Sequence, residues 1–139
     1  MELLTAHQFD YLLDASLELL HKESEEWLNT VSFWRDEMAF YYILIAKNIP
    51  KDIPSKSKEL KADIEDEITK IDTGELDYIQ NSIEQHEWFL SRLLDSENID
   101  EHLYREKHEE LLMQIKRFEN RIKRLKLDIF SLEKSLVVN

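Results

Sequence analysis

The apolar residues of the stretch from Trp27 to Asn48 recur at alternating steps of four and three, the spacing of one helix face. The residues on this face are Trp27, Val31, Trp34, Met38, Tyr41 and Ile45. A second stripe widens the apolar face and comprises Phe33, Phe40 and Leu44. The stretch contains neither glycine nor proline. We therefore expect a long helix whose apolar face must be covered by other elements.

The same periodicity predicts how far each helix extends. Continued backwards in phase, through Ser24 and three leucines, it predicts a first helix over about residues 6–48. Pro50 and Pro54 then disfavour helix. A second helix is predicted over 55–95, with a heptad phase that slips by one residue near Gly74. The most regular seam predicts a third helix over about 99–136.

Three such stretches joined by two short turns predict an all-α fold, an antiparallel up-down-up bundle of three long helices. Residues 1–139 have the length of a single domain. A continuous first helix is favoured, with a kink or turn near Ser24 as the alternative, and a local kink or stutter is expected near Gly74. A full break at either position would instead produce a four-helix bundle. Charged residues at 35% and hydrophobic residues at 42% are typical of helical bundles and coiled coils.

The formal net charge of −12 changes the expected partners. This field repels nucleic acid and anionic membrane surfaces, so we expect neither as a partner. The longest apolar run, 38–46, is too short to cross a bilayer, and the first residues lack the pattern of a signal peptide. The chain has no cysteine, which fits a cytoplasmic location.

A basic run in the third helix has two interpretations. The run 116–126 could contact nucleic acid or an acidic partner. In an antiparallel hairpin, however, it lies opposite acidic residues of the second helix, namely Glu67, Asp72, Glu75 and Asp77. We favour the second interpretation, in which these charges pair along one side of the bundle.

One group of polar residues could bind a metal. In the same hairpin His86 and His108 fall at one height on seam positions, and Glu18-x-x-His21 lies near that height on the first helix. Imidazoles and carboxylates that converge inside a helical bundle are how iron, manganese or zinc sites are built. The predicted metal ligands are therefore Glu18, His21, His86 and His108. The alternative is a structural polar layer, in which the histidines hydrogen-bond each other or a glutamate.

The aromatic stretch also predicts an interface. Residues 39–46 are apolar nearly all round, which is more than one helix of a three-helix bundle needs. Aromatic side chains are enriched where proteins contact one another. The predicted contact residues are Phe33, Trp34, Phe40, Tyr41 and Leu44. Packing of the same residues inside the bundle is the alternative.

The string Trp27-Leu28, Phe33-Trp34, Asp36-Glu37, Phe40-Tyr41 resembles one found in small uncharacterised bacterial helical-bundle proteins. The resemblance covers the first long helix and implies a bacterial, cytosolic bundle without a defined activity. The sequence shows no motif of a known enzyme class. We therefore expect a non-enzymatic protein that acts through protein–protein contact as a homodimer. The alternative is a bundle that binds a metal or small ligand through its His/Glu layer.

Overall fold

A computed structural model describes residues 16–95 and 100–137. Of these residues 93% are helical and none lies in a strand, so the predicted all-α class is confirmed. Of the helices in these two ranges, none is long and apolar enough to cross a membrane.

Three helical runs make up the described part of the chain. Helix α1 spans Leu17–Asn48. Helix α2 comprises Ser55–Lys70, a π-helical turn over Ile71–Glu75, and Leu76–Asp95. Helix α3 spans Glu101–Val137. This count within the described ranges does not support the four-helix alternative, because neither Ser24 nor Gly74 ends a helix. The predicted start of the first helix, at about residue 6, and that of the third helix, at about residue 99, lie outside the described residues.

The starts of the helices follow from local side-chain chemistry. The hydroxyl of Ser16 accepts a hydrogen bond of 3.1 Å from the Leu19 N–H, and the Asp100 carboxylate accepts one of 2.9 Å from the His102 N–H. Both polar groups satisfy a backbone donor that a helix start leaves without a partner in the helix. At the start of α2, Pro54 occupies the cap position with an extended backbone. These residues explain why α1 begins at Leu17 and α3 at Glu101.

The phase slip near Gly74 corresponds to the π-helical turn. The Leu76 N–H donates to the Ile71 carbonyl, five residues back rather than four. One additional residue in a turn advances the apolar face by one position, which is the slip seen in the sequence. Backbone angles at Lys70, Ile71 and Leu76 stay in the right-handed helical region. Helix α2 therefore continues through the turn.

Ser24 lies on the buried face of α1 without interrupting it. Its hydroxyl donates a 3.2 Å hydrogen bond to the Leu20 carbonyl, one turn earlier in the same helix. A serine that bonds its own helix in this way satisfies its polar group inside an apolar environment. The sequence pattern therefore predicted the correct face at Ser24, and the helix continues through this position without a break.

The contacts of the chain group into two compact units, and each helix contributes a segment to both. Among the described residues, unit 1 contains residues 16–31, 79–95 and 100–117, and unit 2 contains residues 32–78 and 118–137. The apolar core of unit 1 centres on Leu20, Leu90 and Tyr104, which bury one another. The predicted single domain stays a prediction.

Unit 2 has a larger aliphatic core. Its buried side chains are mostly isoleucine and leucine from all three helices, together with three other apolar residues of α1 and α3. The three are Trp34, Met38 and Phe118, and the ring centroids of Trp34 and Phe118 are 5.1 Å apart. Burial of this apolar surface is the dominant stabilising contribution to such a unit.

Candidate functional site

Two buried histidines form a hydrogen-bonded chain with a glutamate inside unit 1. His86 Nε2 lies 2.9 Å from His108 Nδ1, and His108 Nε2 lies 2.9 Å from an oxygen of Glu23. His86 is 4% exposed and His108 is fully buried. We call Glu23, His86 and His108 the histidine network. The predicted pairing of His86 with His108 is confirmed.

Aromatic rings hold both imidazoles in place. The ring of Tyr104 stacks on His86 with centroids 4.2 Å apart and planes within 2°. The indole of Trp27 stacks on His108 at 4.5 Å. Each imidazole thus has a hydrogen bond at its edge and an aromatic contact on its face. Such packing restricts the rotamers that both histidines can adopt.

The network has little capacity for an additional proton on His86. Burial, followed by the charges of His108 and Lys107, lowers the pKa of His86 to about 3. His86 Nδ1 is buried and has no hydrogen-bond partner among the described residues. A hydrogen bond between two imidazole nitrogens needs one N–H and one lone pair. At neutral pH His86 is therefore an uncharged ring that forms a hydrogen bond to its neighbour.

The other two predicted metal ligands lie elsewhere. Glu18 is exposed, with an oxygen 3.8 Å from the ammonium of Lys22. His21 Nε2 lies 3.0 Å from Glu25, and His21 Nδ1 contacts Glu87. Within the described ranges, no group of three or more His, Asp or Glu side chains is placed to hold a metal ion. Metal binding by Glu18, His21, His86 and His108 stays a prediction.

Glu23 is the member of the network that the sequence did not indicate. Acidic residues nearer to His86 and His108 along the chain were the more obvious partners. Glu23 comes from α1 instead, one residue before the seam position Ser24 and one turn before Trp27. Its position on the edge of the buried face is a usable signal, because a carboxylate there can reach a polar group in the core while part of its side chain stays in water.

In unit 2 the basic run of α3 contacts acidic residues of α2. Arg121 bonds both Glu67 and Glu75, and these two hydrogen bonds raise the pKa of its guanidinium. Glu67 precedes the π-helical turn and Glu75 is its last residue. Asp77, another predicted partner, instead pairs with Arg35 of α1 at 2.5 Å. The pairing interpretation of the basic run is therefore supported at Arg121.

Glu37 connects α1 to α3 at a half-buried position. One of its oxygens lies 2.8 Å from the Lys126 ammonium and accepts a 2.8 Å hydrogen bond from the Tyr41 hydroxyl. Burial, followed by this bond to Glu37, raises the pKa of Tyr41 to about 12. The Tyr41 hydroxyl is thus already engaged in a hydrogen bond within α1.

The predicted interface residues divide into an exposed set and a buried one. Phe33 and Phe40 are each 59% exposed, and Leu44 is partly buried. Trp34 is only 5% exposed and packs against Phe118, so it belongs to the core of unit 2. We call Phe33, Phe40 and Leu44 the apolar flank of α1.

Further large apolar side chains of unit 2 are exposed. On α1 these include Tyr42 and Ile43, and on α3 they include Leu127 and Phe130. Lys126, next to Leu127, pairs with Glu37 of α1, so α1 and α3 are neighbours at this level. At 100° per residue, Phe130 lies on the side of α3 that carries Lys126. At 100° per residue, Tyr42 and Ile43 lie more than 100° around α1 from Glu37, so they do not face this side of α3.

The geometry of the described residues thus offers a buried polar network in unit 1 and an exposed apolar flank in unit 2. Neither is accompanied by a known activity, and the resemblance to bacterial helical-bundle proteins stays a prediction. Comparison of the chain with protein-family models, with curated proteins and with solved structures yields no match.

Proposed function

We propose that the protein acts through protein–protein contact and forms a homodimer through the apolar flank of α1. The observation that carries this proposal is the 59% exposure of both Phe33 and Phe40 on one side of a single helix. Two phenylalanines seven residues apart stand one above the other, two helical turns apart. Left in water, they cost hydrophobic free energy that contact with a second protein surface would recover.

The side of α1 that carries Phe33 and Phe40 supports the assignment. The core-facing residues Trp34 and Met38 are buried, so the apolar flank is additional to the side that unit 2 needs for its own packing. Exposed apolar residues that occur singly on a surface need no explanation. A contiguous set of aromatic and aliphatic residues is instead typical of an interface.

Substitution of Phe40 by glutamate tests the homodimer. We expect the wild-type chain to show twice the monomer mass in light scattering at high micromolar concentration, and Phe40→Glu to be monomeric. A carboxylate at the centre of an apolar contact loses its hydration without gaining a partner. Tyr42→Glu is the matched control, because Tyr42 is 51% exposed on the same helix but points to the other side.

A wild-type chain that remains monomeric at these concentrations would contradict the homodimer. Equal loss of self-association in the Phe40 and Tyr42 variants would place the contact elsewhere. Far-UV circular dichroism of both variants shows that the helices remain intact.

We also propose the antiparallel up-down-up arrangement for the helical segments of each unit. Support comes from the order of the contacts between α2 and α3. Ser57 meets Ser135, and Glu67 meets Arg121 in unit 2. As residue numbers rise along α2, those of its partners fall along α3. The contact in unit 1 between His86 and His108 follows the same trend, because a higher residue number on α2 is paired with a lower one on α3.

For the histidine network we propose a structural role within a protein that binds no metal. The nitrogens of His86 and His108 that face each other bond each other, so a metal would first have to break that bond. Metal analysis of untagged protein, with thermal melts before and after chelation, tests this role. Stoichiometric iron, manganese or zinc that stabilises the protein would favour the metal-binding alternative. The cytoplasmic location remains part of the proposal.

A further inference from the structure

Helix α1 carries an outer stripe of four exposed residues, in which two apolar side chains lie between an acidic one and a basic one. Asp36, Phe40, Ile43 and Lys47 follow one another at steps of four, three and four, and all four are exposed. At 100° per residue they fall within about 60° of the helix circumference. We call these four residues the outer stripe of α1.

The outer stripe is self-complementary when the helix is reversed. Its midpoint lies between residues 41 and 42. Asp36 and Lys47 are equally far from this point, and so are Phe40 and Ile43. A two-fold axis through the midpoint therefore brings Asp36 of one copy to Lys47 of the other, and Phe40 of one copy to Ile43 of the other.

We propose that a second copy of this chain packs antiparallel against the outer stripe of α1, centred between residues 41 and 42. This inference rests on the proposed homodimer and specifies its geometry. The apolar pair occupies the centre of the contact and the opposite charges lie at its two ends, which is the usual anatomy of an interface. The apolar flank shares Phe40 with the outer stripe, and its other two residues, Phe33 and Leu44, lie beside the stripe and widen the contact.

Charge selects this arrangement over its alternative. A parallel pair of α1 helices would place Asp36 against Asp36 and Lys47 against Lys47. Like charges at an interface are unfavourable, whereas the antiparallel arrangement converts both contacts into opposite-charge pairs. The same charges specify the partner as a second copy of this chain rather than a lipid surface, to which Asp36 contributes no attraction.

Cross-linking can test the arrangement directly because the chain contains no cysteine. Asp36→Cys and Lys47→Cys chains are prepared separately, one with a size tag, and mixed before treatment with a short bismaleimide. Helices that pack through side chains lie about 8–10 Å apart, so a short linker is better suited than a disulfide. We expect cross-linked product in the mixture and little from either variant alone. Tyr42→Cys measures random collision.

Product from Asp36→Cys alone, at the level seen in the mixture, would overturn the antiparallel arrangement. A protein that is dimeric by light scattering but gives no product above the Tyr42→Cys level would refute the outer stripe as the contact and leave the homodimer standing. A monomeric wild-type chain would refute both.

Charge reversal provides a second, independent readout that does not require a new thiol. Each of Asp36→Lys and Lys47→Asp creates two like-charge contacts per symmetric dimer, which we expect to raise the dissociation constant about tenfold. The double variant restores both pairs and should return the constant to the wild-type range in sedimentation equilibrium.

The two single variants change the net charge in opposite directions. A general charge effect would therefore strengthen association in Asp36→Lys and weaken it in Lys47→Asp. Only a specific pairing weakens association in both and recovers it in the double variant. Failure of the double variant to recover would overturn the proposed pairing of Asp36 with Lys47.

Discussion

His86 is a titratable residue whose environment excludes its charged form. It is 4% exposed, stacks on Tyr104 and bonds only to His108 among the described residues. A buried imidazole in such a place is stable only while it is neutral. The consequence is a specific dependence of stability on pH.

We predict that the free energy of unfolding falls by about 2 kcal/mol between pH 7 and pH 5 because of His86. The pKa of this residue is about 3 in the folded chain and roughly 6.5 in the unfolded chain. The unfolded chain therefore binds the additional proton first, and this stability contribution is lost as the pH falls below 6.5. Urea denaturation at a series of pH values measures the effect.

Between pH 7 and pH 5, the free energy of unfolding of the variant His86→Gln should fall by about 2 kcal/mol less than that of the wild type. The glutamine amide can hydrogen-bond His108 but does not titrate. His102→Gln is the matched control, because the side chain of His102 is 67% exposed. Identical pH profiles for wild type and His86→Gln would contradict the assignment.

At the residue scale, periodicity predicted some partners and missed others. His86 and His108 are both seam positions, and a hairpin sets seam positions at equal height, so their pairing was predictable. Glu23 was not, because its contact depends on the register between α1 and α3, which no turn sets directly. Similarly, Trp34 was assigned to an interface together with residues of the neighbouring apolar stripe. Periodicity alone does not show which of these residues the other helices cover.

The π-helical turn of α2 is the most unusual element of the described chain. The Thr73 hydroxyl in this turn donates a hydrogen bond to the Thr69 carbonyl, and Arg121 bonds both Glu67, which precedes the turn, and Glu75, which ends it. These contacts hold the turn where the apolar phase changes by one residue. A glycine at position 74 is therefore not needed to form it.

We predict that Gly74→Ala raises the free energy of unfolding by about 0.5–1 kcal/mol. Gly74 has no positive φ, and a Cβ at this position meets nothing within 4 Å. Alanine reduces the conformational freedom of the unfolded chain and fits the helical backbone. Ala62→Gly, at an exposed position of the same helix, is the matched control and should lower stability by a similar amount. Destabilisation by Gly74→Ala would show that the turn requires glycine.

The elements were the best-predicted part of this protein, for a physical reason. Glycine and proline are almost absent, so apolar periodicity alone determines where helices continue. The one-residue phase slip at Gly74 was visible in the sequence, but its form was not. A kink, a stutter and a π-helical turn all shift the phase, and only the hydrogen bond from Leu76 to Ile71 distinguishes them.

At the scale of the whole molecule, the two units differ in what they bury. Of the polar side chains that the structure describes as buried, Ser24, His86 and His108 belong to unit 1 and only Ser57 to unit 2. Unit 2 is otherwise filled by aliphatic and aromatic residues. Acid should therefore affect the two units differently.

We predict that lowering the pH from 7 to 5 accelerates amide hydrogen exchange more in unit 1 than in unit 2, after correction for intrinsic rates. Protonation of a buried histidine favours local opening of the segments around it. Peptides from residues 79–95 and 101–115 should respond more than peptides from 55–70 and 120–135. An equal response of all four segments would indicate that the chain opens only as a whole.

The tryptophans give each unit its own optical label. Trp27 stacks on His108 in unit 1, Trp34 packs on Phe118 in unit 2, and Trp88 is exposed beside Arg92. A chain that retains only Trp27 would report by its fluorescence emission on the first environment alone, and one that retains only Trp34 on the second. Folding of the two units could then be followed separately, without any foreign dye.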